Sequence, residues 1–127
     1  MKIWAWRIVL IISLAINIYL IGKWLLFDQW SVATNEEAII LSEMVQKTIE
    51  SAEYQQIAER EDVISIHSDV NKWNGGVYPY YMSVYVATDV QTYIFSCHDK
   101  TCAQMSNGGW TYSKYSEEAP RLPLKVE

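Results

Sequence analysis

Cysteine, proline and glycine are scarce in this 127-residue chain, with two, three and five residues respectively. The two cysteines are too few for the paired Cys clusters of a typical structural zinc site. Neither lies near the amino terminus, which excludes a lipidated-cysteine anchor. Four of the five glycines fall in "NGGVYP" and "SNGGW", which read as turns and lack the lysine and following helix of a phosphate-binding loop. No repeat or low-complexity tract is present. Basic residues are sparse beyond position 27: from Asp28 onward seven face fifteen acids, a balance of −8. Such a surface does not suit nucleic acid, whose phosphates need clustered Lys and Arg, and anionic lipid would repel it. Most simply, it is a soluble surface.

Acids, conversely, are missing from the first 27 residues, which hold Lys2, Arg7 and Lys23. "RIVLIISLAINIYLIGKWLLF" carries no charge between Arg7 and Lys23. About 20 apolar residues suffice to cross a bilayer as a helix. Trp6 and Trp24 are eighteen residues apart, roughly 27 Å along a helix against a hydrocarbon layer of ~30 Å. Trp4, Trp6, Trp24 and Trp30 cluster at the ends of the run, as indoles do at membrane–water boundaries. Arg7 and Lys23 can extend their charges towards the headgroups. We read residues 1–7 as a cytoplasmic segment and 8–27 as a transmembrane anchor, with flanks reaching to 3 and 30. Lys2, Arg7 and the amino terminus precede the span and an acidic segment follows it. The positive-inside rule then leaves the carboxy-terminal part periplasmic or extracellular.

A cleavable signal peptide shares these features, and "SVA" at 31–33 would place cleavage after Ala33, before Thr34. Lys23, Asp28 and Trp30 between the apolar run and that site favour a retained anchor. Both readings export the rest of the chain. Within the span, Ser13 and Asn17 sit four apart on one helical face. They point to contact with another transmembrane helix, in a partner or a second copy, or are a polar pair that the anchor tolerates.

Beyond the span, "SVATNEEAIILSEMVQKTIESAEYQQIAERED" has neither proline nor glycine and is predicted to be one helix ending near Arg60. Thr34 and Glu37 have the capping-box spacing, in which each side chain accepts from the other's backbone amide. Ala38, Leu41, Met44, Val45, Thr48, Ile49 and Ala52 form an apolar stripe suited to a sheet, and Glu43 and Lys47 a four-apart ion pair on the wet face. From Asp62 the period becomes two. "DVISIHSDV", "YYMSVYVATD" and "QTYIFSC" are predicted strands, "CAQM" and "GWTYSKY" the last one or two, and Asn74–Gly75 the apex of a turn. The fold class is therefore α+β: an amino-terminal transmembrane helix, then an amphipathic helix packed on an antiparallel β-meander of three to five strands. The exported domain spans 34–116, and 117–127 form a loosely held tail.

Nine Trp and Tyr residues lie between Trp73 and Tyr115. On the strand Tyr80, Met82, Val84 and Val86 share one face, and Tyr81, Ser83, Tyr85 and Ala87 the other. Tyr81 and Tyr85 mark a candidate binding face for a protein or a glycan, although cross-strand aromatic pairs also simply stabilise sheets. Cys97 and Cys102 flank "HDKT". In an exported domain they are expected to form a disulfide between facing strand positions. A metal site from Cys97, His98 and Cys102 with His67, or a redox pair, is the alternative. Ser65, His67 and Asp69 alternate along one strand and cannot converge as a triad. The acids between Glu36 and Glu59 are helix surface. The resulting expectation is a non-enzymatic, single-pass accessory, regulatory or immunity protein of the envelope. It needs no cofactor or metal, and its partner is another membrane or envelope protein or, through the span, itself.

Overall fold

A computed structural model describes residues 1–27, 32–74 and 76–125. The chain forms two compact units, Met1–Val32 and Ala33–Glu127. In the first, α1 runs over Lys2–Leu26 without a buried residue. Its most apolar window has a mean hydropathy of 2.1, and the helix is long and apolar enough to cross a membrane, a character that amino-terminal signal sequences share. Phe27 closes it by donating its amide to the Lys23 carbonyl at 2.9 Å. Asp28, Trp30 and the serine of "SVA" lie outside the described residues.

The second unit is α+β, with a four-stranded antiparallel sheet in the order β1-β2-β3-β4. The single long helix expected after the span is two helices, α2 over Asn35–Glu50 and α3 over Ala52–Arg60. Ser51 separates them in an extended conformation, φ −70° and ψ 146°. Its hydroxyl donates to the Thr48 carbonyl at 2.6 Å and accepts the Tyr54 amide at 3.2 Å. One side chain thus closes α2 and caps α3, and this local bonding outcompetes helix continuation. Glu53 in the first turn of α3 suits the helix dipole.

The capping box at α2 is half formed. Thr34 accepts the Glu37 amide at 3.2 Å. The Glu37 carboxylate does not return to the Thr34 backbone, but takes the Thr34 hydroxyl at 3.3 Å and Lys72 Nζ at 2.8 Å. The ion pair on the wet face is Lys47–Glu50 at 3.8 Å instead of Glu43–Lys47. Of the apolar stripe, Leu41, Met44 and Thr48 are buried, whereas Ala38 and Ala52 are exposed.

The strands are β1 Val63–Val70, β2 Met82–Thr88, β3 Gln91–Cys97 and β4 Met105–Tyr112. Register sets Val70 opposite Met82, Val84 opposite Phe95, Val86 opposite Tyr93 and Cys97 opposite Met105. These side chains form one face and make the core with Leu41, Met44 and Ile57. Met82, Val84, Val86 and Phe95 are completely buried, each worth roughly 1.5–3 kcal/mol of apolar transfer.

Two turn expectations change. Gly75 lies outside the described residues, and a 3-10 turn at Lys72–Asn74 plus a second turn at 78–81 precede β2, so Tyr80 stands before the strand. "SNGG" is not a turn between strands but the middle of β4. Asn107 faces Phe95 and Gly109 faces Ile94, so Gly108 is the extra residue of a β-bulge. After the 3-10 turn at Lys114–Ser116 the described tail contains no helix or strand.

Candidate functional site

The helices cover one face of the sheet. On the other face, His67 pairs with Tyr85 across β1 and β2, and their rings stack at 4.8 Å and 10°. The row continues through Ile94 to Gly109, where no side chain closes it. The neighbouring row is Ser65, Ala87, Thr92 and Thr111. Beyond β4 the chain turns back and sets Tyr115 beside Ser65. Hydrogen bonding with Ser65 and the nearby Lys114 and Arg121 charges hold the Tyr115 phenol below its ordinary range. Lys114 lies 5.1 Å from the Tyr115 ring centre. Tyr115 and Tyr112 thereby wall one end of an open groove of about 350 Å³ floored by His67, Tyr85, Thr92 and Thr111. The groove offers ring faces and hydroxyls, with Lys114 at its margin in a strongly acidic domain.

Tyr81 and Tyr85 have different surroundings, although both line a hollow of about 150 Å³ with Asp69 and Ser83. Tyr85 stands on the outer face. Tyr81 packs against the core cluster, with Lys72 5.5 Å from its ring centre and Tyr78 6.1 Å away. Burial, then the Glu37 charge, raises its phenol pKa. Asp69 accepts the Val70 amide at 2.8 Å, and Ser65 and His67 point outward from β1 without forming a triad.

Cys97 and Cys102 have their sulfurs at bonding distance, 1.94 Å, with Cα atoms 4.7 Å apart. The link is not between facing strand positions, as expected, because Cys97 faces Met105. Cys102 lies in the intervening loop with φ 53°, a left-handed conformation rare outside glycine. The loop is ordered by Asp99, which takes the Thr101 amide and hydroxyl at 3.0 and 2.7 Å, and these bonds lower its pKa. Among the described residues no group of three or more His, Cys, Asp or Glu is placed to hold a metal ion.

On α1, Trp4, Trp6 and Trp24 are exposed, as are Arg7 and Lys23. Asn17 Nδ2 donates to the Ser13 carbonyl at 2.8 Å.

The chain matches no family model, no curated protein and no solved structure.

Sequence reasoning missed the role of Tyr115, because the reversal after β4 depends on Ser113. The buried Ser113 hydroxyl donates to the Thr88 carbonyl at 2.6 Å. Its local signal was the serine itself, which also accepts the Tyr115 amide at 3.3 Å and starts the 3-10 turn.

Proposed function

We propose that the protein is a single-pass membrane protein, amino terminus in the cytoplasm, whose exported α+β domain binds another envelope protein in an accessory, regulatory or immunity role. The observation that carries the binding role is the sheet face around Tyr85. Among the described residues no α-helix packs on it, only the 3-10 turn at Lys114–Ser116, and it offers stacked aromatic rings and an open groove. Tyr-rich surfaces of this kind bury large, rigid area on association at low entropic cost. Export is supported by Lys2 and Arg7 in the first turns of α1, the acidic unit after it, and a cysteine pair at bonding distance.

A photo-crosslinking residue at position 85 of the full-length chain tests this reading. A discrete protein adduct is expected from position 85 and none from Glu59, a surface position on α3. It is expected to disappear in His67→Ala while the melting temperature stays within a few degrees of the parent. Equal adducts from both positions would contradict a specific face. The His67–Tyr85 stack also favours a second reading, a glycan ring lying against the aromatic floor. That reading requires Tyr85 fluorescence or NMR shifts on adding soluble envelope glycan without a protein adduct.

A further inference from the structure

We propose that α1 is a homodimerisation element in which Asn17 of one chain meets Asn17 of a second copy. The proposal rests on the reading of α1 as a retained membrane span, and it deepens that reading by naming a partner. Trp6, Leu10, Ser13, Asn17, Leu20 and Trp24 follow the alternating four- and three-residue spacing that brings two helices together along a left-handed seam. All are solvent-exposed along α1. Asn17 lies two residues from the midpoint between Trp6 and Trp24, about 3 Å along the axis. There a polar group is most costly and least able to reach water.

The geometry of Asn17 selects the occupant. One amide N–H is committed to the Ser13 carbonyl at 2.8 Å. The amide retains a second N–H and the side-chain carbonyl, one donor and one acceptor, for a partner. That set is self-complementary: two such amides satisfy each other through a two-fold axis, as an isologous interface requires. Two copies of one chain also insert in the same direction and to the same depth. A second copy therefore brings an amide to the required level by construction, whereas an unrelated helix would need a polar residue matched in depth. Beside the seam the small Ser13 side chain leaves a depression of about 280 Å³ bordered by Val9, Ile12, Ile16 and Asn17. It admits a branched side chain of the neighbouring helix, the close approach that drives association when lipid is as apolar as protein.

The test uses full-length chain expressed in membranes, extracted, checked by intact mass and reconstituted in lipid vesicles. Donor and acceptor dyes on the amino termini report association as the lipid is diluted. Wild type is expected to show energy transfer that fits a dimer. Asn17→Leu is expected to raise the dissociation constant about ten-fold, ~1.4 kcal/mol. Ser13→Ile is expected to weaken association by filling the depression, and Asn17→Gln to retain it. Full-length, membrane-embedded chain that shows no transfer, or equal transfer with Asn17→Leu, overturns the dimer while leaving the span intact. Chain recovered starting at Thr34 overturns the span and the dimer together.

Discussion

Tyr93 donates its phenolic proton to Glu61 at 2.6 Å across thirty-two residues of sequence. The other carboxylate oxygen lies 2.6 Å from Thr88 Oγ1, which itself accepts the Val90 and Gln91 amides at 3.1 Å. Gln91 Nε2 donates to the Tyr93 oxygen at 2.7 Å. Glu61 therefore fastens the end of α3 to the β2–β3 hairpin, and Ser113 brings the end of β4 to the same Thr88.

Glu61→Ala should cost about 2 kcal/mol, since the charged hydrogen bond from Tyr93 is lost and its phenol is left without an acceptor, whereas Thr88 Oγ1 can still donate to the Gln91 carbonyl at 2.8 Å. Glu61→Gln, which keeps an acceptor, should cost less. Thermal unfolding of the full-length chain in detergent, followed by circular dichroism, measures the difference. Equal melting temperatures for all three chains would remove Glu61 from the fold's support.

Burial, then the hydrogen bond to Glu61, raises the Tyr93 pKa above the usual tyrosine value. The folded state thus binds this proton more tightly than the unfolded state. Its contribution should be complete below the unfolded value of about pH 10 and be lost as pH rises through the folded value. Tyr93→Phe should lower stability by about 1 kcal/mol at neutral pH and flatten the alkaline decline. Denaturant midpoints between pH 8 and 11 check the slope, and a steeper decline in the Phe variant would contradict the assignment.

The Cys97–Cys102 disulfide should stabilise the Ala33–Glu127 unit by ~2 kcal/mol, the chain-entropy value for so short a loop. Once the link is removed by Cys97→Ala, the φ of 53° at Cys102 should distinguish two replacements. Cys102→Gly should be about 1 kcal/mol more stable than Cys102→Ala, because only glycine adopts that conformation freely. Urea titrations of the two double variants decide it.

Ser51→Ala should cost about 1 kcal/mol and loosen the α2–α3 junction, because the cap of α3 and the bond to Thr48 vanish together. Amide hydrogen exchange at Tyr54, whose N–H bonds to Ser51, should accelerate selectively. Unchanged protection there would mean that packing alone holds the break.

The apolar run of α1, the Leu41–Met44–Thr48 face and the alternation of Met82, Val84 and Val86 were legible because burial imposes one period on each element. The α2–α3 break was not, because a serine inside a helix-compatible stretch gives little sign of whether its hydroxyl will cap or continue the helix. "SNGG" misled for a related reason, since Asn-Gly-Gly suits a turn and a bulge equally and only the facing strand decides. At the candidate site, alternation set Tyr85 on the face opposite Met82, Val84 and Val86 but left open which of the two faces would be uncovered. It could not anticipate that Tyr81, four residues earlier, would lean onto the core beside Lys72, or that Tyr115 would return to Ser65. Those contacts join residues that lie distant in sequence through turns that local pattern does not define.

The central claim, a retained anchor holding an oxidised exported domain, is tested most directly by the intact mass of membrane-extracted protein alkylated without prior reduction. The expected result is full-length chain carrying no alkyl group. A chain beginning at Thr34 would contradict the anchor, and two alkyl groups on a full-length chain would contradict the disulfide and the exported orientation that it supports.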